Sequence, residues 1–301
     1  MVINKIYEDL KEIAGTNSVF TDVSMKQHTT FRTGGNADYF VTACSEESLT
    51  GLIRYLKKEK LPYYILGNGS NVLFADEGYR GIVVKTGKFD DIRVSGNVLR
   101  AGAGVILARA AYVARKKSLT GMEFAAGIPG TVGGAVVMNA GAYGSEIKDI
   151  ITGARAVDET GNIIFLSKEE LKLNYRHSIV SERELIITEA VFELAYGDSD
   201  EIEAKMKELA ARRTEKQPLE YPSAGSTFKR PEGYFAGKLI EDAGMKGFSV
   251  GDAQVSEKHS GFVINRGNAT TQDILTLIKK VQEAVYDKFG VMLEMEVKVV
   301  K

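Results

Sequence analysis

Cysteine is almost absent from this chain. Cys44 is the only one in 301 residues, which excludes an intrachain disulfide and any cysteine-rich zinc site. The three histidines, His28, His177 and His259, stand far apart in sequence and offer no metal-ligand spacing, so no metal is expected. No apolar run is long enough to cross a membrane, and residues 1–14 (MVINKIYEDLKEIA) are charged and amphipathic rather than signal-like. A cytoplasmic protein without membrane insertion is the expectation. An excess of either charge is also missing: 39 Lys and Arg against 40 Asp and Glu leave −1, so no whole-molecule field attracts nucleic acid. The nearest approach to G-x-G-x-x-G, Gly67-Asn68-Gly69-Ser70-Asn71-Val72, ends in valine. There is no P-loop, no H-E-x-x-H and no G-x-S-x-G. Rossmann dehydrogenases, P-loop enzymes, zincins and serine hydrolases all lose ground.

What is plentiful is glycine, 31 residues gathered into clusters, in a chain whose 44% hydrophobic and 26% charged content suits a globular protein with a real core. Apolar residues at three-and-four spacing predict helices over 3–13, 45–60, 107–117, 200–216, 235–243 and 271–289, the last with a capping box at residues 270–273. Extended patterns occupy 63–66, 72–74, 81–86, 92–101, 185–196, 256–265 and 291–300, with a hairpin over 154–166 around Glu159-Thr160-Gly161-Asn162. Helices and strands mix without a strict βαβαβ rhythm, which points to an α+β fold. The polar cluster Gly197-Asp198-Ser199-Asp200 marks a domain boundary. The expected divisions are 1–80, 81–198 and 199–290, with the terminal strand 291–301 packing back on the first.

Six segments carry chemistry. Residues 67–71 (GNGSN) interrupt two extended stretches; Gly and Asn both enter positive φ, so successive N–H groups can converge on an anion such as pyrophosphate, or the segment is a plain loop. Residues 121–144 (GMEFAAGIPGTVGGAVVMNAGAYG) have few large side chains for a core, yet are too apolar for a linker. Such a segment brings backbone against a large flat ligand, or packs a helix closely on a sheet. Residues 28–35 (HTTFRTGG) and 174–178 (NYRHS) each set an arginine among small or aromatic groups. Residues 223–231 (SAGSTFKRP) place hydroxyls beside the basic pair Lys229 and Arg230, suited to a diphosphate or to a solvated loop. Glu294 and Glu296 lie on one face of the terminal strand, ordinary at an edge and a charge-handling pair in a cleft.

In this order, HTTFRTGG (28–35), LGNGSNVLF (66–74), GIPGTVGGAVVMNAGAYG (127–144), NYRHS (174–178), AGSTFKRP (224–231), HSGFVIN (259–265) and LEMEV (293–297) resemble the bacterial cell-wall UDP-N-acetylenolpyruvoylglucosamine reductases. The resemblance runs over nearly the whole chain. It implies a p-cresol-methylhydroxylase-like two-part FAD-binding fold followed by a C-terminal α+β substrate domain. It implies noncovalent FAD, NADPH as reductant and UDP-N-acetylglucosamine enolpyruvate as substrate, in a monomer or weak oligomer. Cofactor contacts then fall on Gly67, Asn68, Gly69, Ser70 and Asn71, and on Gly127, Pro129, Gly130, Thr131, Gly133, Gly134, Asn139 and Gly141. The catalytic positions are Arg176, Ser226 and Glu296, and the substrate-binding positions Tyr175, Lys216, Lys229 and Arg230. One branch of the family carries an insertion after the Y-R motif with a tyrosine on the substrate diphosphate. Here residues 178–185 alone separate that motif from the next strand, so the chain is similar to the shorter branch. Arg230 stands where the longer branch has asparagine.

The implied chemistry agrees with the residues. Reduction of an enol ether conjugated to a carboxylate builds negative charge at the α-carbon, which an arginine and a correctly protonated or polarising glutamate can stabilise. A positioned hydroxyl such as Ser226 can then supply the proton. Two other readings stand beside this one: a different flavoenzyme of the same FAD fold, such as an oxidase of a small alcohol or sugar, and a nucleotide-binding module without catalysis.

Overall fold

The helix expected near the N-terminus forms as Val2–Ala14 in the computed structural model, which describes residues 2–301 and side chains from Lys5 onward. Ile3, expected on its apolar face, lies outside the described side chains; Leu10 and Ala14 are buried. The second helix, Glu46–Lys58, starts at a capping box in which Ser45 Oγ accepts the Ser48 N–H and Ser48 Oγ accepts that of Ser45. Glu46 and Glu47 occupy its first turn and Lys57 and Lys58 its last, each complementing the helix dipole. Its stripe of Leu49, Leu52, Ile53 and Leu56 is fully buried, at about 1.5–3 kcal/mol per side chain.

The chain divides into two compact units. The first comprises Met1–Thr21, Tyr39–Asn68 and Gly81–Arg212, and the second Asp22–Asp38, Gly69–Arg80 and Arg213–Lys301. This differs from the chain-order limits expected from sequence. Helix Ser199–Lys216, placed beyond the boundary by its polar start, buries Ile202 and Met206 in the core of the first unit, and Glu203 there pairs with Arg115 at 2.8 Å. In the second unit, Lys298–Val300 pairs in parallel with Val72–Phe74. That pairing joins residues more than two hundred apart, which no local pattern reports.

The first unit is organised on an antiparallel sheet in the order Ile163–Ser167, Ile151–Val157, Ile186–Glu193, Val98–Gly102, Ile92–Ser95. The expected hairpin closes between the first two of these strands. The stretch 92–101, expected as one strand, is two, because Gly96 at φ 59 turns the chain between them. Helix Leu107–Lys116 and the short helix Val132–Val137 pack against this sheet through Ala110, Ala111, Ala114, Val132 and Val136. A smaller sheet in the order Val19–Ser24, Asn36–Thr42, Tyr79–Lys85, Tyr63–Leu66 includes a parallel pair, Tyr63–Leu66 with Tyr79–Lys85. Its first two strands carried no signal strong enough to be read from sequence. Val41, Ile82 and Val84 from this sheet share a core with helix Glu46–Lys58.

The second unit rests on helix Thr271–Phe289, whose Ile274, Leu277, Ile278, Val281 and Val285 pack on an antiparallel sheet of Ser249–Val250, Ala253–Val255 and Val263–Asn265. The capping box read from sequence is present: Thr270 Oγ1 accepts the Asp273 N–H at 3.0 Å and Asp273 returns the bond. Gly290 at φ 68 ends the helix. Residues 256–262, expected to be extended, form a turn in which Ser256 Oγ accepts the N–H groups of Lys258 and His259. Of the expected terminal strand only Lys298–Val300 is regular; residues 293–297 meet their partner through one bridge, Met295 with Phe228.

Candidate functional site

In the first unit the long glycine segment is neither loop nor ordinary helix. A 3₁₀ turn, Glu123–Gly127, leads through Gly130, at φ 147, into helix Val132–Val137. Thr131 caps that helix, its Oγ1 accepting the Gly134 N–H. Val132 and Gly133 donate their N–H groups to the carbonyls of Val105 and Ala103. The glycines serve different ends. A Cβ on Gly133 would stand 2.8 Å from Ala103 Cβ, and one on Gly67 2.7 Å from Thr131 Oγ1, so both are packing glycines. Gly67 thereby brings the start of the GNGSN segment against the GIPGTVGG segment, two stretches that sequence placed together only by resemblance. Gly134 is exposed, and a Cβ there would meet only Thr131 Oγ1, at 3.6 Å. Gly127 and Pro129 are exposed too. Packing does not require a glycine at 134, and the backbone there, beside Thr131, is open and free of side chains.

Gly141 lies in a two-residue ribbon, Gly141–Ala142 with Ser145–Glu146, closed by Tyr143 and Gly144, both at positive φ. Asn139 corrects an expectation. Its side chain is fully buried and bonded within the protein, to Glu146 Oε2, to the Asn174 carbonyl and from the Lys148 N–H, so it serves the fold rather than a ligand. The turn it reaches presents Tyr175, exposed, and Arg176, whose guanidinium lies 5.1 Å from the Tyr175 ring centroid.

In the second unit the remainder of GNGSN meets HTTFRTGG. Thr30 donates its N–H to the Gly69 carbonyl at 3.0 Å, and a Cβ on Gly69 would stand 2.0 Å from the His28 carbonyl. Asn71 donates through Nδ2 to the Glu296 carbonyl, and its own carbonyl accepts the Lys298 N–H. The segment bearing Ser226 runs alongside: Glu296 N–H donates to the Thr227 carbonyl and Lys229 N–H to that of Glu294. Ser226 is exposed, while its neighbour Thr227 is fully buried, its Oγ1 accepting the Val263 N–H. Three sequence-distant residues, Asn71, Ser226 and Glu296, are thus carried by directly hydrogen-bonded segments of one unit. The link through Asn71 could not have been read from sequence.

The expected substrate contacts are less uniform. Lys229 Nζ is paired with Glu294, so it meets an anion only by exchanging that partner. Arg230 stacks on Phe235, with its guanidinium 4.0 Å from the ring centroid. Lys216 is exposed at the end of its helix. His259 is half-buried, and the loss of solvation holds its pKa below the ordinary 6.5. Its Nδ1 accepts the Gly261 N–H at 3.1 Å, and the Gly261 carbonyl accepts that of Thr227. No group of His, Cys, Asp and Glu side chains among the described residues could hold a metal ion.

Two family models match. One, described as an FAD binding domain, covers residues 37–167; the other, described as the UDP-N-acetylenolpyruvoylglucosamine reductase C-terminal domain, covers residues 217–300. The chain is 53% identical over 295 residues to the UDP-N-acetylenolpyruvoylglucosamine reductase of Caldanaerobacter subterraneus subsp. tengcongensis, with 98% of each chain covered. It is 52% identical over 295 residues to that of Clostridium novyi, covering 98% of this chain and 96% of the relative. The crystal structure of the Thermus caldophilus reductase matches with a TM-score of 0.81 at 34% identity, over 94% of this chain and 98% of that one. A glucose dehydrogenase, Phl p 4.0202, shares the fold alone, with a TM-score of 0.53 at 11% identity over 96% of this chain and 63% of that one. The α+β, FAD-binding architecture expected from sequence is the one observed.

Proposed function

Because the chain belongs to the UDP-N-acetylenolpyruvoylglucosamine reductase family, we propose that Ser226, Arg176 and Glu296 are its catalytic group. The family activity is the FAD-dependent reduction of UDP-N-acetylglucosamine enolpyruvate to UDP-N-acetylmuramate in peptidoglycan synthesis, and it is the activity of this chain. Bound noncovalently, FAD would supply the hydride chemistry between NADPH and the enol double bond. The residues present fit it: Gly134 leaves open backbone in the first turn of helix Val132–Val137, which a side chain at 134 would occupy. Backbone N–H groups of 67–71, Gly130 and Thr131 are the donors proposed for its phosphates.

The protein's part is orientation, charge and a proton. As the double bond is reduced, negative charge develops at the α-carbon and its carboxylate. Arg176 is assigned to neutralise the carboxylate and Glu296 to polarise the reacting group. Ser226 is assigned to give its Oγ proton to the α-carbon. The observation that carries this assignment is the 2.9 Å backbone bond from Glu296 to Thr227, which fixes the segments bearing Ser226 and Glu296 side by side. Tyr175, Lys216, Lys229 and Arg230 are proposed to bind the nucleotide sugar, in a cytoplasmic monomer or weak oligomer.

Stopped-flow separation of the two half-reactions tests the assignment. Ser226→Ala is expected to leave flavin reduction by NADPH near the parent rate, and to slow reoxidation by the enolpyruvyl substrate roughly 10²–10⁴-fold. Normal reoxidation in that variant would make the serine a bystander.

A further inference from the structure

Asn139 uses both donors and one acceptor position of its amide inside the first unit. Its Nδ2 donates to Glu146 Oε2 at 2.6 Å and to the Asn174 carbonyl at 3.0 Å, and its Oδ1 accepts the Lys148 N–H at 2.8 Å. A primary amide has two donors, and both are used. The backbone sits at φ 42, a region that asparagine enters more readily than most residues, so a longer amide would be a poor substitute. A few residues beyond Asn174, Ser178 is likewise fully buried, and its Oγ donates to the Val137 carbonyl at 2.8 Å.

The two contacts bracket a tight turn. Asn174 and His177 exchange backbone hydrogen bonds, both 3.1 Å, and between them Arg176 is held at φ 52. For a residue with a long side chain this left-handed conformation costs about 1–2 kcal/mol, and it persists only where the surroundings over-determine it. Here they do. One end of the turn is tied through its carbonyl to Asn139 and the other through its serine to Val137, both on the glycine-rich segment.

We propose that Asn139, seconded by Ser178, is a positioning residue that sets the orientation of the Arg176 guanidinium. This rests on the reading of Arg176 as the group that stabilises charge on the substrate. The Asn139 side chain is fully buried and bonded within the protein. Its effect reaches the reaction through the turn, and falls on the half-reaction that Arg176 serves.

The experiment uses the FAD-loaded enzyme with Asn139→Gly, which removes the amide and tolerates the positive φ, and with Ser178→Ala, which removes the second tie. Displacement of an aligned group by about an ångström costs up to roughly 10²-fold. Reoxidation by the enolpyruvyl substrate is therefore expected to slow about 10–100-fold in Asn139→Gly and about 3–10-fold in Ser178→Ala, with reduction by NADPH within about threefold of the parent. In an Arg176→Ala background, either change is expected to add less than about threefold, because the group it positions is gone. Additive losses in that background, or equal slowing of both half-reactions, would overturn the positioning role and leave Arg176 in place. An Arg176→Ala enzyme that reoxidises at the parent rate would overturn the catalytic reading and this inference with it. Should Asn139→Gly fail to fold, the Ser178→Ala cycle decides by the same criteria.

Discussion

In the second unit a Cβ added at Gly35 would stand 2.2 Å from the Asp76 carbonyl, and one at Gly69 would stand 2.0 Å from that of His28; in the first, one added at Gly134 would meet nothing closer than 3.6 Å. The two regions look alike as glycine-rich sequence, and they use the residue for different reasons. Around HTTFRTGG the glycines let two backbones pass close to each other. Around GIPGTVGG, Gly133 is of that kind, whereas Gly134 leaves a surface that the protein does not itself cover. The difference separates glycine that packing requires from glycine that packing does not require.

The sharpest way to break the comparison is Gly35→Ala. The clash is with backbone, which cannot rotate away, so the second unit is expected to lose upwards of about 3 kcal/mol. Chemical denaturation measures it, and a loss below about 0.5 kcal/mol would show that the crossing is not tight. Gly134→Ala should do the reverse. Without a clash, and with a better helix former in the first helical turn, the FAD-free protein should be as stable as the parent or up to about 1 kcal/mol more so. Its FAD dissociation constant is expected to rise at least about tenfold, or about 1.4 kcal/mol, if the cofactor lies against that backbone. Titration of apoprotein followed by flavin fluorescence reads this directly, and unchanged affinity would move the cofactor elsewhere.

The smallest effect is a difference in acid sensitivity. His259, in the second unit, has a folded pKa below its ordinary 6.5 because burial disfavours the charged form. The unfolded chain binds that proton first, so its contribution is whole above pH 6.5 and is lost as pH falls below it. In the first unit, Glu46 is held below its ordinary 4.5 by the Arg155 guanidinium and the Thr188 hydroxyl. That contribution persists until pH falls below 4.5 and disappears as the pH drops through the lowered value. Hydrogen exchange at pH 7, 5.5 and 4 should therefore show the second unit weakening first. His259→Gln should remove the early loss, and simultaneous weakening of both units in that variant would refute the assignment.

Much of this was legible beforehand because it is local. Helix Thr271–Phe289 announced its cap in four residues and its buried stripe in nineteen. The glycine segments announced close approach, but could not say to what: the same absence of a side chain serves the His28 carbonyl at Gly69 and leaves open backbone at Gly134. Asn139 was legible as part of the glycine-rich segment, but the bonds of its side chain were not, since an amide that bonds a ligand and one that bonds a turn look identical in sequence. The strands Val19–Ser24 and Asn36–Thr42 were missed because their alternation is weak and pairing in the sheet supplies what propensity does not.

The sequence by itself determined the family and the α+β class, because these depend on short runs of particular side chains in a particular order. Tertiary structure alone decided which chain segments form each unit, that Asn71 bonds the backbone of Glu296, and that Arg176 stands on a turn tied down by Asn139 and Ser178. Those facts rest on hydrogen bonds between residues tens to hundreds of positions apart. Such bonds form only once the hydrophobic cores have offset the entropy of bringing the distant segments together.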